Sequence, residues 1–315
     1  MNPIEVMVTS NLPAAFTTGL QKHFTVHHRE HIRDPAVLAR VKALVCAEHL
    51  ALGRELMGLL PNLKLICVLG DDASLVDAKE ALQRGIVVLK TRDVHSQDMA
   101  DFAMGLLISS VRRMAESERV LRNGDWVDGP ILPTGRVHGR RLGLVGFGPV
   151  GKALAQRALG FGLSVAYCDA ESKEAEGAEG AEGAEAASAT FYATTLELAQ
   201  HVDFLVLTQH AAIKACGAVD AAVLQALGPE GHLVNLLNGA DLVDEAALVS
   251  ALQARQLGGV ALDGFAEPPR VGPAIRQAKG SVLTPGMACN TQAAVQDACD
   301  QVLLQLKTFF APTAT

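Results

Sequence analysis

Short apolar runs alternate with amphipathic stretches along most of the chain. In the first hundred residues the runs fall at 4–8, 43–46, 63–69 and 86–89, with helix-like spacing at 35–41 and 76–84 between them. A strand covered on both faces reads as a continuous apolar run, and strands that alternate with helices pair in parallel. This rhythm predicts an α/β fold with a parallel sheet clothed in helices. From 97 to 122 the pattern changes, with Met99, Phe102, Ala103, Leu106 and Leu107 apolar on several faces, which predicts one long buried helix. A second strand-helix series follows, with strands near 142–146, 164–168, 204–208, 232–236, 259–262 and 281–284. Helices are expected at 217–227 and 245–254, and a last one at 291–310 closes the chain.

The second series opens on Gly146-Phe147-Gly148-Pro149-Val150-Gly151, placed between an apolar strand and a helix carrying Ala153, Leu154, Arg157 and Ala158. Gly146 permits the tight turn, Gly148 lets backbone approach a pyrophosphate, and Gly151 lets helix and sheet pack closely. The helix start supplies unpaired N–H groups and a positive dipole end to phosphates. Asp169 ends the next strand, eighteen residues after Gly151, where a carboxylate can accept bonds from an adenosine ribose. The cofactor expected is NAD rather than NADP.

Composition narrows the setting. At 315 residues, 49% of them apolar, two domains with large cores are expected. A net charge of -7 offers no field for nucleic acid or an acidic membrane, so the expected partners are a small-molecule substrate and other subunits. Six cysteines stand singly, without CxxC spacing, and read as buried reduced thiols. With no targeting pattern and no apolar run long enough to span a bilayer, a cytoplasmic protein is expected. No metal frame is evident, the cluster His23, His27, His28 and His31 included. Residues 171–187 repeat an Ala-Glu-Gly triplet with six glutamates, too polar to offset ordering entropy, and read as a mobile loop that would repel a ribose 2′-phosphate.

Beyond the fingerprint, the chain resembles the D-isomer-specific 2-hydroxyacid dehydrogenases, and most closely their hydroxypyruvate/glyoxylate reductase branch. The likeness runs through Gly85-Ile86-Val87-Val88, Met99-Ala100-Asp101, Arg122-Asn123-Gly124-Asp125-Trp126, Val234-Asn235, Val243-Asp244-Glu245, Ala261-Leu262-Asp263 and Leu283-Thr284-Pro285. It implies two Rossmann-like domains: an NAD-binding domain at 96–285 inserted into a flavodoxin-like substrate domain made of 1–95 and 286–315. It also implies a homodimer built around the helix that begins near Gln97, and a contact of Asp263 with the nicotinamide amide.

The resemblance further implies an arginine that grips the substrate, a histidine that moves the proton and a glutamate that assists it. The arginine position holds Asn238, which offers a carbonyl one neutral hydrogen bond and cannot neutralise a carboxylate. The histidine position holds Gly286, and a positioned acid–base group is worth about a hundred- to ten-thousand-fold in rate. At the glutamate position a gapless reading puts Pro268, with Glu267 one residue away. The loop that holds the substrate carboxylate carries Asp71 and Asp72, and at about 4 Å and an effective dielectric of about 20 each would repel an anion by about 4 kcal/mol. Arg92 and His95 are the nearest candidates to replace the missing pair.

Three readings follow, in this order. The first is an NAD-dependent oxidoreductase acting on CH–OH or C=O groups of an atypical substrate, with Asn238 polarising the carbonyl and Glu267, His95 or water handling the proton. The second is a catalytically inactive NAD-binding homologue, a sensor or assembly protein. The third is a hydroxypyruvate/glyoxylate reductase.

Overall fold

The computed structural model describes residues 3–9, 12, 14–47, 50–70, 73–127, 133–170 and 189–311. The chain divides into two units, Met1–Val94 with Thr291–Thr315, and His95–Asn290. In the first unit the strands β1 (Glu5–Val8), β2 (Thr25–His28), β3 (Val41–Ala47), β4 (Leu65–Leu69) and β5 (Val87–Lys90) pair in parallel in the order β2-β1-β3-β4-β5. That is the flavodoxin-like order. Both faces of the central strands are covered. Leu44, Cys46, Ile66 and Val68 join one apolar cluster with Met57 and Leu60, while Ala43, Val45, Leu65 and Cys67 join another with Val302 and Leu306 of the helix Gln292–Phe309. β2 was not foreseen: it lies at a sheet edge, is only half-buried, and reads TVHH, with the His27 imidazole 2.8 Å from the Glu5 carboxylate on β1.

In the second unit β6 (Arg141–Val145), β7 (Ser164–Cys168), β8 (Thr190–Phe191), β9 (Phe204–Leu207), β10 (His232–Asn235), β11 (Gly259–Leu262) and β12 (Ser281–Leu283) form a seven-stranded sheet. Its order is β12-β11-β10-β9-β6-β7-β8, and every pair is parallel. The chain runs outward from β6 in one direction and resumes at β9 on the other side. The crevice beyond the carboxyl ends of β6 and β9 is therefore the switch point at which open α/β sheets bind ligands. β8 was also missed, since a two-residue strand carries almost no periodic signal. The Ala-Glu-Gly repeat before it lies outside the described residues.

The single helix expected over 97–122 is two helices, Ser96–Val111 and Met114–Arg122. Arg113 takes a left-handed conformation with φ 50° between them. The Val111 carbonyl, which an unbroken helix would bond within itself, accepts from the Gly135 N–H at 3.2 Å, and the Arg112 guanidinium donates to Thr134 at 2.8 Å. The helix expected over 217–227 begins later, at Ala221, because Gly217, with φ 105°, ends a preceding helix His210–Cys216. None of the six cysteines forms a disulfide and five are buried, and burial pushes the Cys46 and Cys67 thiols up to about 12. Among the described residues no helix is long and apolar enough to cross a membrane.

Candidate functional site

The fingerprint loop leaves β6 with Gly146 at φ 110°. A Cβ there would stand 2.5 Å from Gln209 Cβ and 2.8 Å from Thr208 Oγ1, while the Thr208 hydroxyl bonds the Val145 and Gly146 carbonyls at 3.0 and 2.8 Å. The residues just past β9 thus clamp the turn just past β6. Gly148 caps the helix Pro149–Gly160, with Pro149 at its first position, where a missing N–H costs nothing. Lys152 N–H reaches the Gly148 carbonyl at 2.9 Å, leaving the Val150 and Gly151 amides without intrahelical acceptors. At Gly151 a Cβ would collide with the Gly146 carbonyl, so close packing of helix on turn excludes any side chain.

These residues fit a dinucleotide. Gln209 Oε1 is buried without a hydrogen-bond partner among the described residues, and it stands 2.9 Å from where a Cβ of Gly148 would sit. A buried acceptor left unsatisfied costs about 1–3 kcal/mol, and a ligand hydroxyl would relieve it. Asp169, buried at the end of β7, accepts from Phe147 N–H at 3.0 Å and Ala170 N–H at 2.7 Å. It ties the end of β7 to the fingerprint turn. Phe147 itself is buried, stacked on Tyr167 with ring centroids 4.3 Å apart.

A second construction occupies the carboxyl ends of β10, β11 and β12. Buried Asn235 pins the first turn: its side-chain amide donates to the Leu237 and Gly264 carbonyls at 2.9 and 3.0 Å and its oxygen accepts from Leu237 N–H at 3.0 Å. Asp263, 3% exposed, holds the last turn by accepting from the Thr284 hydroxyl at 2.6 Å and from the Met287 and Ala288 amides, both at 2.8 Å. These turns surround a cavity of about 460 Å³ that lies wholly within the second unit. Asn238, Pro268 and Gly286, the three positions at which the resemblance implied arginine, glutamate and histidine, all line it. Phe265, Val271 and Leu283 make its wall apolar, and among the described residues the charged ones that line it are Asp263 and Arg276.

Asn238 is held from both sides. Its side-chain oxygen accepts from Phe265 N–H at 3.0 Å and its carbonyl lies 2.8 Å from His210 Nε2, which leaves the side-chain N–H pair to offer a ligand. Gly286 is not merely a histidine cut back: its φ of 69° is a left-handed conformation that a side chain strains. Glu267 is exposed, outside the cavity lining, with its carbonyl accepting from Arg270 N–H at 2.8 Å. His95 precedes the helix Ser96–Val111, with Nδ1 buried and unpartnered among the described residues, and it too is outside the lining. Arg92 belongs to the first unit and His95 to the second. Asp71 and Asp72 lie outside the described residues.

Sequence reasoning missed Thr208, Gln209 and Arg276. The first two were within reach, because they follow an expected strand and the switch-point rule directs attention there. Arg276 stands in a stretch with neither motif nor period, and only the sheet order brings it beside Asn238 and Gly286.

Residues 104–288, more than half of the chain, match the D-isomer specific 2-hydroxyacid dehydrogenase, NAD binding domain family, and the chain belongs to that family. It is 28% identical to a glyoxylate/hydroxypyruvate reductase of Arabidopsis thaliana over 99% of this chain and 97% of the relative. A solved 2-hydroxyacid dehydrogenase from Ketogulonicigenium vulgare superimposes with a TM-score of 0.87 at 32% identity, covering 99% of this chain and 96% of that one. An NADPH-dependent glyoxylate/hydroxypyruvate reductase from Sinorhizobium meliloti gives 0.81 at 32% identity, covering 98% and 95%. The family comprises NAD(P)-dependent oxidoreductases that act on CH–OH groups.

Proposed function

We propose that this chain binds NAD(H) in the crevice after β6 and β9 and reduces the carbonyl of a small 2-oxo acid held in the cavity after β10, β11 and β12. The convergence of positions 238, 268 and 286 on one cavity carries this reading. The relatives support glyoxylate or hydroxypyruvate as substrate better than the atypical substrate ranked first from the sequence alone. When bound, the reduced nicotinamide supplies hydride. Asn238 donates a neutral hydrogen bond to the substrate carbonyl, Asp263 holds the Thr284–Ala288 turn and faces the nicotinamide amide, and the apolar wall keeps water away. The proton comes from water, because Glu267 and His95 both stand outside the cavity lining.

One observation favours a second reading, in which small 2-oxo acids are poor substrates: among the described residues no cavity-lining side chain is a histidine, and the one carboxylate, Asp263, is taken up by three donors. Steady-state NADH oxidation with glyoxylate, hydroxypyruvate and a panel of neutral carbonyls decides between them. Turnover of hydroxypyruvate as the best substrate is expected. A neutral carbonyl preferred over it would establish the second reading, and no turnover at all would leave an NAD-binding homologue without activity.

Asp169 supports NADH over NADPH, because a 2′-phosphate would meet its carboxylate, and a titration with each nucleotide checks this. Support for a homodimer comes from Met114 and Leu121, exposed and seven residues apart on one helix face, with Trp126 and Val127 exposed just beyond. Buried, unpaired thiols suit a reducing compartment such as the cytoplasm.

A further inference from the structure

A positive side chain strengthens the hold on an anionic substrate, and Asn238 cannot supply one. Asp263, the one acid among the described residues that line the cavity, already receives three donors. The other charged lining residue is Arg276, on the short helix Pro273–Gln277. Ile275 is 2% exposed and packs into the cluster that contains Leu252, Leu257 and Leu262, which anchors the helix to the sheet. Arg276, the next residue, is exposed; its backbone N–H bonds the Gly272 carbonyl at 3.1 Å, and its guanidinium makes no hydrogen bond or ion pair with any described residue. A guanidinium at the edge of an apolar cavity, free of a protein carboxylate, retains its planar fork of donors for a ligand.

We propose that Arg276 is the carboxylate-binding residue of this site: it supplies from the helix after β11 the charge that the resemblance had placed at position 238. The ligand class is a small 2-oxo acid anion, with its carboxylate on Arg276 and its carbonyl on the Asn238 side-chain N–H. This rests on the proposed function, and it makes position 276 a determinant of affinity for the anion, with the hydride step left to the bound nucleotide.

The test is calorimetry on the full-length chain loaded with NADH. The titrants are oxamate, a non-reducible anionic mimic of a 2-oxo acid, and oxamide, its neutral counterpart. Wild type is expected to prefer oxamate. Arg276→Gln should weaken oxamate by roughly tenfold to a hundredfold, leave oxamide and NADH unchanged, and keep the unfolding midpoint. Arg276→Lys should recover part of the loss. Oxamate binding undiminished in Arg276→Gln would overturn the assignment while leaving the proposed function standing. NADH binding without any oxamate binding in wild type would overturn both. Equal losses of oxamate and oxamide would mark Arg276 as merely structural and likewise overturn it.

Discussion

In the crevice after β6 and β9 the groups proposed to meet the nucleotide are main-chain amides, kept bare by glycines on a turn held by Thr208 and Asp169. In the cavity after β10, β11 and β12 they are side chains, and the scaffold beneath them is set by Asn235 and Asp263. The two regions share one sheet and differ in what a substitution does to them. A side chain added to Gly151 collides with the Gly146 carbonyl, so the first region changes only by losing its shape. Asparagine, proline and glycine can stand at 238, 268 and 286 without disturbing the bonds that Asn235 and Asp263 make, so the second can change its chemistry while the fold persists.

The largest effect expected lies in reversing that change. Asn238→Arg combined with Gly286→His should raise kcat/KM for hydroxypyruvate on the order of a hundredfold or more, at a stability cost of about 1–2 kcal/mol for a side chain in the left-handed conformation at 286. Steady-state kinetics and urea unfolding measure both. A double variant that folds, binds NADH and gains nothing would show that this cavity is not where the substrate reacts.

The amino end of β10 provides a pH-dependent probe of the scaffold under the second region. Burial, with the nearby Arg113 and Arg140 charges, holds the His232 imidazole neutral down to about 4 from its ordinary 6.5, and Ser110 Oγ meets its Nδ1 at 2.9 Å. Between these values the unfolded chain takes up a proton that the folded chain refuses. Stability therefore falls as pH drops from about 6.5 to about 4, by about 3 kcal/mol over the window. Urea midpoints at several pH values should show this slope in wild type and a shallower one in His232→Asn. Equal slopes would contradict the assignment of the acid sensitivity to His232.

A smaller effect sharpens the contrast from the first region. Gly151→Ala should destabilise the chain by about 1–3 kcal/mol and weaken NADH binding, read by thermal unfolding and by nucleotide fluorescence. A variant as stable as wild type with unchanged binding would mean that helix and turn part more readily than their packing indicates.

What the chain reveals of itself divides along the same line. The glycine spacing, the flanking strand and Asp169 made the nucleotide crevice readable, because backbone geometry constrains residue type position by position. The parallel strands were readable because burial on both faces demands unbroken apolar runs. β2 was hidden by its two histidines at a sheet edge, and the break at Arg113 by a stretch whose periodicity continues across it, since Gly135, the residue that caps Val111, lies far along the chain. Asn238 and Gly286 could be seen as departures, but nothing local to residues 273–277 indicates that Arg276 shares a cavity with them.

The absence of a histidine among the described residues that line the cavity is tested most directly by the rate of NADH oxidation with hydroxypyruvate between pH 5 and 9. The arrangement around Asn238, Pro268 and Gly286 predicts a kcat with no step from one plateau to another in the range where histidine titrates. A step centred near 6.5 to 7 would contradict it, and would mean that a histidine such as His95 reaches the reacting carbonyl.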